Sequence, residues 1–305
     1  MMMCGIVGLF LKDKKLEPDL GNMLTDMLIT MTDRGPDSAG IAIYGQDRKK
    51  RSKLTIQSNN PEIDFLTLAD DLGAALGCEV SLIAKDTHAV LHIPATLMAA
   101  ARDEITIINP AIRVMSAGET IEIYKEVGLP CDVAERFQIG TMAGSHGIGH
   151  TRMATEPAVT TMGAHPFSTG ADQCLVHNGS LSNHNSLRRK LVREGVHIET
   201  ENDSEVAAAY LTYRMQQGST LGEALESSLD DLDGFFTFVV GTKDGFGVVR
   251  DPIACKPAVM AETNQYVAFG SEYRALVNLP DIDNAHIWEP EPATVYFWTH
   301  QNADI

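Results

Sequence analysis

The segment Cys4–Leu11 constrains the fold more than any other part of the chain. It is apolar at almost every position, which is typical of a central strand buried on both faces. Such a strand needs a further layer of structure on each side of its sheet, so the chain is expected to fold into stacked layers. With 305 residues, 44% of them hydrophobic, the chain is long enough to bury cores of this kind.

The periodicity of the remaining apolar residues predicts the elements around that strand. One helix is indicated by apolar residues at steps of three and four, namely Leu20, Met23, Leu24, Met27, Leu28 and Met31. Further helices are predicted at about 184–194, 204–215 and from Thr220, which has Glu223 three residues later as in a capping box. Strands are predicted at 41–44, 145–150, 174–177, 235–240, 246–250, 258–261, 266–269 and 294–298. Because no βαβ rhythm is present, we expect stacked antiparallel sheets with helices outside.

The pattern changes between about residues 47 and 135. Strands are predicted at 54–57, 80–83, 89–93 and 120–124, and helices at 62–76 and 95–102. This order, β-α-β-β-α-β, is typical of a ferredoxin-like unit. We therefore predict one domain over residues 4–46 and 136–305, interrupted by an inserted α+β subdomain at about 47–135.

Charge and cysteine usage exclude several classes of protein. Lys and Arg number 24 and Asp and Glu 41, which gives a net charge of −17. Such a surface repels phosphate backbones and anionic headgroups, so we expect binding neither to nucleic acid nor to a membrane. No apolar run approaches the roughly 20 residues that a membrane-spanning helix needs. The five cysteines are scattered without a C-x-x-C pair, which favours a reducing compartment and a cytoplasmic protein.

Cys4 has two interpretations. A cysteine in a buried strand is usually a small hydrophobic residue. Only Met1 to Met3 precede Cys4, however, and their removal would expose a free α-amino group on it. An α-amine has a pKa of about 7.7–8.0, so it can accept the thiol proton at neutral pH without a histidine or an aspartate. If the methionines stay, the nucleophile is blocked.

Seven segments give the chain a family likeness. They are C-G-I-V-G (4–8), R-G-P-D-S-A-G (34–40), H-T-R-M-A-T (150–155), V-H-N-G-S (176–180), N-D-S-E-V (202–206), R-D-P-I-A-C-K-P (250–257) and F-G-S-E-Y-R-A-L (269–276). In this order they resemble the class II glutamine amidotransferase domains, which are N-terminal nucleophile hydrolases. The likeness covers most of residues 4–45 and 140–300. It implies a four-layer α-β-β-α sandwich, here with an α+β (ferredoxin-like) insertion.

The resemblance also implies catalytic roles for three residues. Cys4 would attack the side-chain amide of glutamine and form a γ-glutamyl thioester, releasing ammonia. The Asn178 side-chain amide and the Gly179 backbone N–H would form the oxyanion hole. The alternative for these two residues is a simple hairpin turn, for which Asn-Gly is a leading signal.

Four further residues are implied as substrate-binding or positioning groups. Arg152 would bind the substrate α-carboxylate, for which its planar guanidinium suits two hydrogen bonds. Asp203 would pair with the α-ammonium group, Thr155 would line the pocket, and Arg34 would position the loop near the nucleophile. Arg152 and Asp203 have an ordinary alternative as surface charges, and Asp203 another as a helix cap.

Four histidines are candidates for a metal site or for a Cys–His catalytic pair, namely His150, His165, His177 and His184. No H-x-x-x-H pair lies on a predicted helix with a third ligand nearby, and the implied mechanism needs no imidazole. We therefore expect no metal and no cofactor in this chain.

The chain departs from its relatives in two places. Several of them have W-A-T-H-G where residues 153–157 read M-A-T-E-P, which adds a carboxylate at Glu156 to the mouth of the pocket. Ala254 replaces a glycine that is common in the D-P-x-G turn.

Within the family, the chain is most similar to the separate amidotransferase-like subunit of glutamate-synthase-type complexes, including N-methylglutamate synthase. We therefore expect a cytoplasmic glutaminase subunit of a hetero-oligomer that passes ammonia to a separate synthase subunit, with FMN on that partner. One alternative is a non-catalytic glutamate- or glutamine-binding regulatory or assembly subunit with Cys4 blocked. Another is an N-terminal nucleophile amidase acting on a different amide.

Overall fold

The computed structural model describes residues 4–45, 50–153 and 159–300. Its strands are β1 (Gly5–Leu11), β2 (Ser38–Tyr44), β3 (Arg51–Gln57), β4 (Ser81–Lys85), β5 (His88–Pro94), β6 (Arg113–Gly118), β7 (Ile121–Val127), β8 (His146–Arg152), β9 (Cys174–Leu181), β10 (Gly234–Thr242), β11 (Gly245–Arg250), β12 (Val259–Glu262), β13 (Tyr266–Gly270), β14 (His286–Trp288) and β15 (Thr294–Thr299). Its α-helices are α1 (Leu20–Ile29), α2 (Pro61–Asp64), α3 (Leu68–Leu76), α4 (Met98–Ile108), α5 (Pro130–Arg136), α6 (His184–Arg193), α7 (Asp203–Gln216) and α8 (Leu221–Asp231).

The first strand lies in the middle of a seven-stranded antiparallel sheet with the order β14-β12-β13-β1-β8-β2-β7. Every residue of β1 is buried, as the apolar sequence predicts. Side chains of alternate β1 residues enter two different cores, since Ile6 and Phe10 belong to one cluster and Val7 and Leu9 to another.

A second sheet, β15-β11-β10-β9, stacks on the first and completes the sandwich. The core between the sheets combines β1 and β8 residues such as Ile6 and Ile148 with Val176 of β9 and Val239 of β10. The α1 helix and α5 cover the outer face of the large sheet, whereas α6, α7 and α8 cover the outer face of the second. The predicted four-layer α-β-β-α sandwich is therefore confirmed.

The inserted subdomain contains a third antiparallel sheet with the order β4-β5-β3-β6. Its core lies between one face of this sheet and the helices α3 and α4, with Leu54, Leu72 and Ile105 fully buried. This is the arrangement that the split pattern predicts.

One strand of the predicted insertion belongs elsewhere. The strand expected at 120–124 is β7, which pairs with β2 in the large sheet, while the unpredicted β6 completes the small sheet. The α5 helix likewise packs on the large sheet through Val133 and Ala134. The small sheet thus ends before residue 121, earlier than the expected boundary near 135.

The helix expected at 62–76 is divided into α2 and α3, and α4 continues to Ile108 although its end was expected at 102. The other predicted elements are present within a few residues of their expected limits. The α8 helix has the expected capping box between Thr220 and Glu223. The short edge strand β14 was not predicted. Among the described residues, none of the helices is both long and apolar enough to cross a membrane.

Candidate active site

Cys4 stands immediately before the central strand β1, at the end of the sandwich where β1 begins. We call this end the Cys4 edge. Gly5 lies directly opposite Thr151 of β8, and a Cβ atom on Gly5 would come within 2.7 Å of the Met31 Cβ and 2.8 Å of the Thr151 Oγ1. Only a glycine fits between these two side chains, so the backbone next to Cys4 is closely packed.

Arg34 contacts the backbone of Cys4. It lies just before β2, is only 9% exposed, and its Nε donates to the Cys4 carbonyl oxygen at 3.0 Å. The guanidinium also forms an ion pair with Glu272, with 2.6 Å between Nη1 and Oε1. Arg34 is therefore placed where the sequence expected it, beside the candidate nucleophile.

Asn178 reaches the same carbonyl from the other sheet. Its Nδ2 donates to the Cys4 carbonyl oxygen at 3.2 Å. The Asn-Gly pair lies inside β9 and pairs with β10, so the hairpin-turn interpretation is wrong. Gly179 has a φ of +157°, and a Cβ atom there would lie 2.0 Å from the Phe235 carbonyl oxygen, which only glycine avoids.

Arg152 is the last residue of β8, the strand next to β1, and is 6% exposed. The interpretation as a surface charge is therefore wrong for Arg152. Its positive charge and that of Lys256 act on the Cys4 thiol, as does a hydrogen bond with the Met153 backbone. Burial has the larger effect and raises the pKa of the Cys4 thiol, while these three groups lower it. The thiol therefore needs a base to ionise at neutral pH.

Asp203 connects the second sheet to the helix layer. It is the first residue of α7, and its Oδ2 accepts a hydrogen bond from the Leu181 backbone N–H at the end of β9, at 2.9 Å. The side chain that caps α7 is that of Asn202, which accepts from the Ser204 N–H at 2.9 Å, so Asp203 is not the cap. Asp203 lies 3.8 Å from the Nδ1 of His177, the residue before Asn178.

Three of the four candidate histidines cluster behind these residues. The rings of His150 and His165 stack with 4.0 Å between centroids, and the His150 Nε2 lies 3.2 Å from the His177 carbonyl oxygen. Burial lowers the pKa of His150 to about 3 and that of His177 to about 4, so both are neutral at pH 7. His184 bonds instead to the Leu181 carbonyl oxygen.

Within residues 4–45, 50–153 and 159–300, no group of three or more His, Cys, Asp or Glu side chains is arranged to hold a metal ion. Thr155 and Glu156 lie outside the described residues.

Two segments that had no predicted role reach the site. Ser271 and Glu272 contact β1 and Arg34, and Lys256 acts on the Cys4 thiol. Both segments contributed to the family resemblance, which was the available signal.

The segment that carries Lys256 is held by buried Arg250. Its guanidinium donates to the carbonyl oxygens of Pro290, Ala254 and Lys256 at 2.8, 2.8 and 2.9 Å. Ala254 has a φ of +51°, in the left-handed region that favours glycine.

A large cleft of about 1120 Å³ lies away from this edge, between the inserted subdomain and the segment before α7. Its walls include Arg102 and Arg113 on one side and Glu199 and Thr200 on the other. None of the predicted site residues that lie within the described ranges lines it.

Known proteins with similar sequences identify the family of this chain. The model of a glutamine amidotransferase domain family matches residues 150–278. The glutamine amidotransferase-like protein GlxB of Rhizobium meliloti (strain 1021) is 70% identical over 99% of this chain and 100% of its own length. The chain belongs to the class II glutamine amidotransferases. An amidophosphoribosyltransferase of Methanocaldococcus jannaschii is 31% identical over 59% of this chain and 38% of its own length.

A solved structure supports the same fold for this class II amidotransferase. The glutamine phosphoribosylpyrophosphate amidotransferase from B. subtilis, complexed with ADP and GMP, superposes with a TM-score of 0.62 at 18% identity. The match covers 98% of this chain and 48% of that one, so the present chain spans about half of its length.

Proposed function

We propose that the chain is a glutaminase subunit that hydrolyses the side-chain amide of glutamine at Cys4 and delivers ammonia to a separate synthase subunit. The proposal is carried mainly by one observation: Arg34 and Asn178, from different layers, both hold the Cys4 carbonyl oxygen at hydrogen-bond distance. A buried cysteine with only a packing role needs no such support.

The α-amine of the mature Cys4 supplies the base. It takes the thiol proton as the sulfur attacks the carbon of the glutamine side-chain amide, which forms a C–S bond and a tetrahedral oxyanion. Arg152 and Lys256 assist because their positive charges favour the thiolate against the effect of burial. Among the described residues, no carboxylate acts on this thiol.

The side-chain amide of Asn178 has a second N–H group that can donate to the oxyanion. A side-chain amide carries two N–H groups, and the bond to the Cys4 carbonyl oxygen uses one of them. The second N–H and the backbone N–H of Gly179 are assigned to the oxyanion.

The intermediate then breaks its C–N bond. The α-ammonium returns its proton to the departing nitrogen, and ammonia leaves with a γ-glutamyl thioester on Cys4. A water molecule, deprotonated by the same α-amine, attacks the thioester and releases glutamate and the thiol. The sum is glutamine plus water giving glutamate plus ammonia.

The amino-acid head of glutamine is assigned to Arg152 and Asp203. Arg152 would bind the α-carboxylate and Asp203 the α-ammonium group, with Thr155 lining the pocket. Support comes from the burial of Arg152 and from the hydrogen bond that ties Asp203 to the end of β9, three residues after Asn178.

The acceptor of ammonia is assigned to another polypeptide of glutamate-synthase or N-methylglutamate-synthase type, with FMN on that partner. All described strands and α-helices belong to the sandwich or to the inserted subdomain. Copurification from the source cells, followed by identification of the bound chains, tests this part. Recovery of the chain without a flavin-containing synthase would contradict it.

The decisive experiment compares the protein that begins at Cys4 with its Cys4→Ala variant. Glutamate release from glutamine is expected in the first and no measurable release in the second, with equal melting temperatures as the folding control. Equal rates would refute the proposal. A substrate lacking the amino-acid head distinguishes a general amidase, because only that enzyme would hydrolyse it as fast as glutamine.

Met1 to Met3 favour a second candidate, a regulatory or assembly subunit that binds glutamate or glutamine without hydrolysing it. Intact mass of the protein purified from its source decides between the two. A mature chain that begins at Cys4 supports hydrolysis, whereas any retained methionine leaves the mechanism without its base.

A further inference from the structure

We propose that Glu272 is a positioning residue for the nucleophile, acting on Cys4 through Arg34. The inference rests on the proposed function, because it concerns the orientation of Cys4 during glutamine hydrolysis. Glu272 is separated from Arg34 by 238 residues in the sequence and belongs to the segment 269–276, for which the proposed chemistry has no role.

Arg34 transmits the effect of Glu272 to Cys4. Its Nη1 donates to the Glu272 Oε1 at 2.6 Å, and its Nε donates to the Cys4 carbonyl oxygen at 3.0 Å. The guanidinium is planar and rigid, so an anchor at one nitrogen fixes the direction of the other. The Nη2 of Arg34 is buried and makes no hydrogen bond within the described residues, so Glu272 supplies the main restraint.

The neighbouring residue restrains the start of β1. The Ile6 N–H donates to the Ser271 Oγ at 2.9 Å, and the Ser271 N–H donates to the Ile6 carbonyl oxygen at 2.9 Å. Ser271 and Glu272 together therefore hold both sides of Gly5, Ser271 directly at Ile6 and Glu272 through Arg34 at Cys4.

Glu272 is itself held in place. Its second oxygen, Oε2, pairs with the Arg274 Nε at 2.7 Å, and Arg274 also pairs with Asp33 at 3.4 Å. Asp33 is 84% exposed and its carboxylate pairs with Arg274, so this pair is the outer end of the network. Asp33 therefore provides a matched control.

The expected kinetic effect is on turnover rather than on binding. A shift of the Cys4 carbonyl moves the thiol and the α-amine together, and a displacement of about 1 Å can cost 100-fold in rate. The side chain of Glu272 pairs with Arg34 and Arg274, whereas the substrate head is assigned to Arg152 and Asp203. The substrate KM should therefore stay near its original value.

The test is glutaminase kinetics of the protein that begins at Cys4, in Glu272→Gln and Asp33→Asn variants. Glutamine preserves the shape of Glu272 but removes the charge that pairs with Arg34. We expect kcat, referred to the folded fraction, to fall about 10- to 100-fold in E272Q with KM within about twofold. In D33N both constants should stay within about twofold, since exposed pairs contribute little.

Three outcomes would overturn the inference. They are an unchanged kcat in E272Q, an equal loss of kcat in E272Q and D33N, or a loss in E272Q that lies mainly in KM. A Cys4→Ala variant measured in parallel separates the two proposals. If C4A is as active as the unmodified protein, the proposed function fails; if C4A is inactive and E272Q fully active, only the role of Glu272 fails.

Discussion

Two partly buried ion pairs connect parts of the molecule that are distant in the sequence, and their surroundings differ. Arg34–Glu272 lies at the Cys4 edge. Lys53–Glu122, with 2.8 Å between Nζ and Oε1, connects the inserted sheet to the large sheet, and we call this contact the join. Lys53 also donates to the Thr120 carbonyl oxygen, while Glu122 accepts a hydrogen bond from the Tyr124 hydroxyl at 2.7 Å.

The charge at the join is compensated from several sides. Burial alone would raise the pKa of Glu122, but the charge and hydrogen bond of Lys53, the Tyr124 hydroxyl and the charge of Lys85 together lower it. At the Cys4 edge Glu272 is likewise paired with two arginines, Arg34 and Arg274, but Arg34 also donates to the Cys4 carbonyl oxygen. We therefore expect substitutions at the join to act on stability and substitutions at the edge to act on turnover.

Substitution at the edge should give the largest effect. We expect Asn178→Ala to lower kcat for glutamine by about 100- to 1000-fold, equivalent to about 2.7–4 kcal/mol, because one oxyanion donor and one support of the Cys4 carbonyl are lost. Steady-state kinetics at saturating glutamine measure it. Thr237→Ala, at the position that faces Asn178 on β10, is the control and should keep kcat within about threefold. A drop of less than tenfold in Asn178→Ala would contradict the oxyanion assignment.

Substitution at the join should act on stability and leave the chemistry intact. Lys53→Met leaves Glu122 partly buried without its partner, and we expect the free energy of unfolding to fall by about 2–3 kcal/mol, reduced from the value for a fully buried pair because Glu122 is 21% exposed. Urea denaturation measures the loss.

The double variant Lys53→Met, Glu122→Leu is the control for that prediction. It should recover most of the stability, since no unpaired charge remains. A fall in kcat of the folded Lys53→Met protein would show that the join and the edge are not independent.

Lowering the pH should destabilise both regions. The free energy of unfolding lost for each histidine should be smaller than the loss expected in Lys53→Met. Burial lowers the pKa of His88 at the join, and of His150 near the edge, to about 3. Between pH 6.5 and 3 the unfolded chain therefore binds protons that the folded chain does not, so stability falls as pH falls. Each histidine should cost about 1.4 kcal/mol at pH 5.5.

Denaturation at pH 7.5 and 5.5, with and without His88→Phe, measures this contribution. The variant should lose about 1.4 kcal/mol less between the two pH values than the unmodified protein. An identical loss in both proteins would contradict the assignment of a neutral, buried His88.

The sequence predicted elements whose pattern is local. β1 is apolar throughout, α1 has its apolar stripe, and α8 has its capping box, because strand burial, helix periodicity and capping depend on residues a few positions apart. It missed β6, whose exposed and buried residues follow no clear alternation, and the three-residue edge strand β14.

Sequence patterns did not predict which strands pair when the strands are far apart in the chain. β7 was expected in the inserted sheet, but its partner is β2, and nothing in the residues 121–127 themselves distinguishes one neighbour from another. The same limitation applies to Glu272, whose motif was recognised although its contact with Arg34 was not.

The residues at the candidate site were therefore identified by the sequence, through motifs whose order matches a known family. Which of them meet was decided by the tertiary structure: the stacking of two sheets brings Asn178 and Arg34 to the same carbonyl oxygen of Cys4. The physical reason is that side-chain type and periodicity are properties of the chain, whereas a hydrogen bond between distant residues exists only once packing has fixed both backbones.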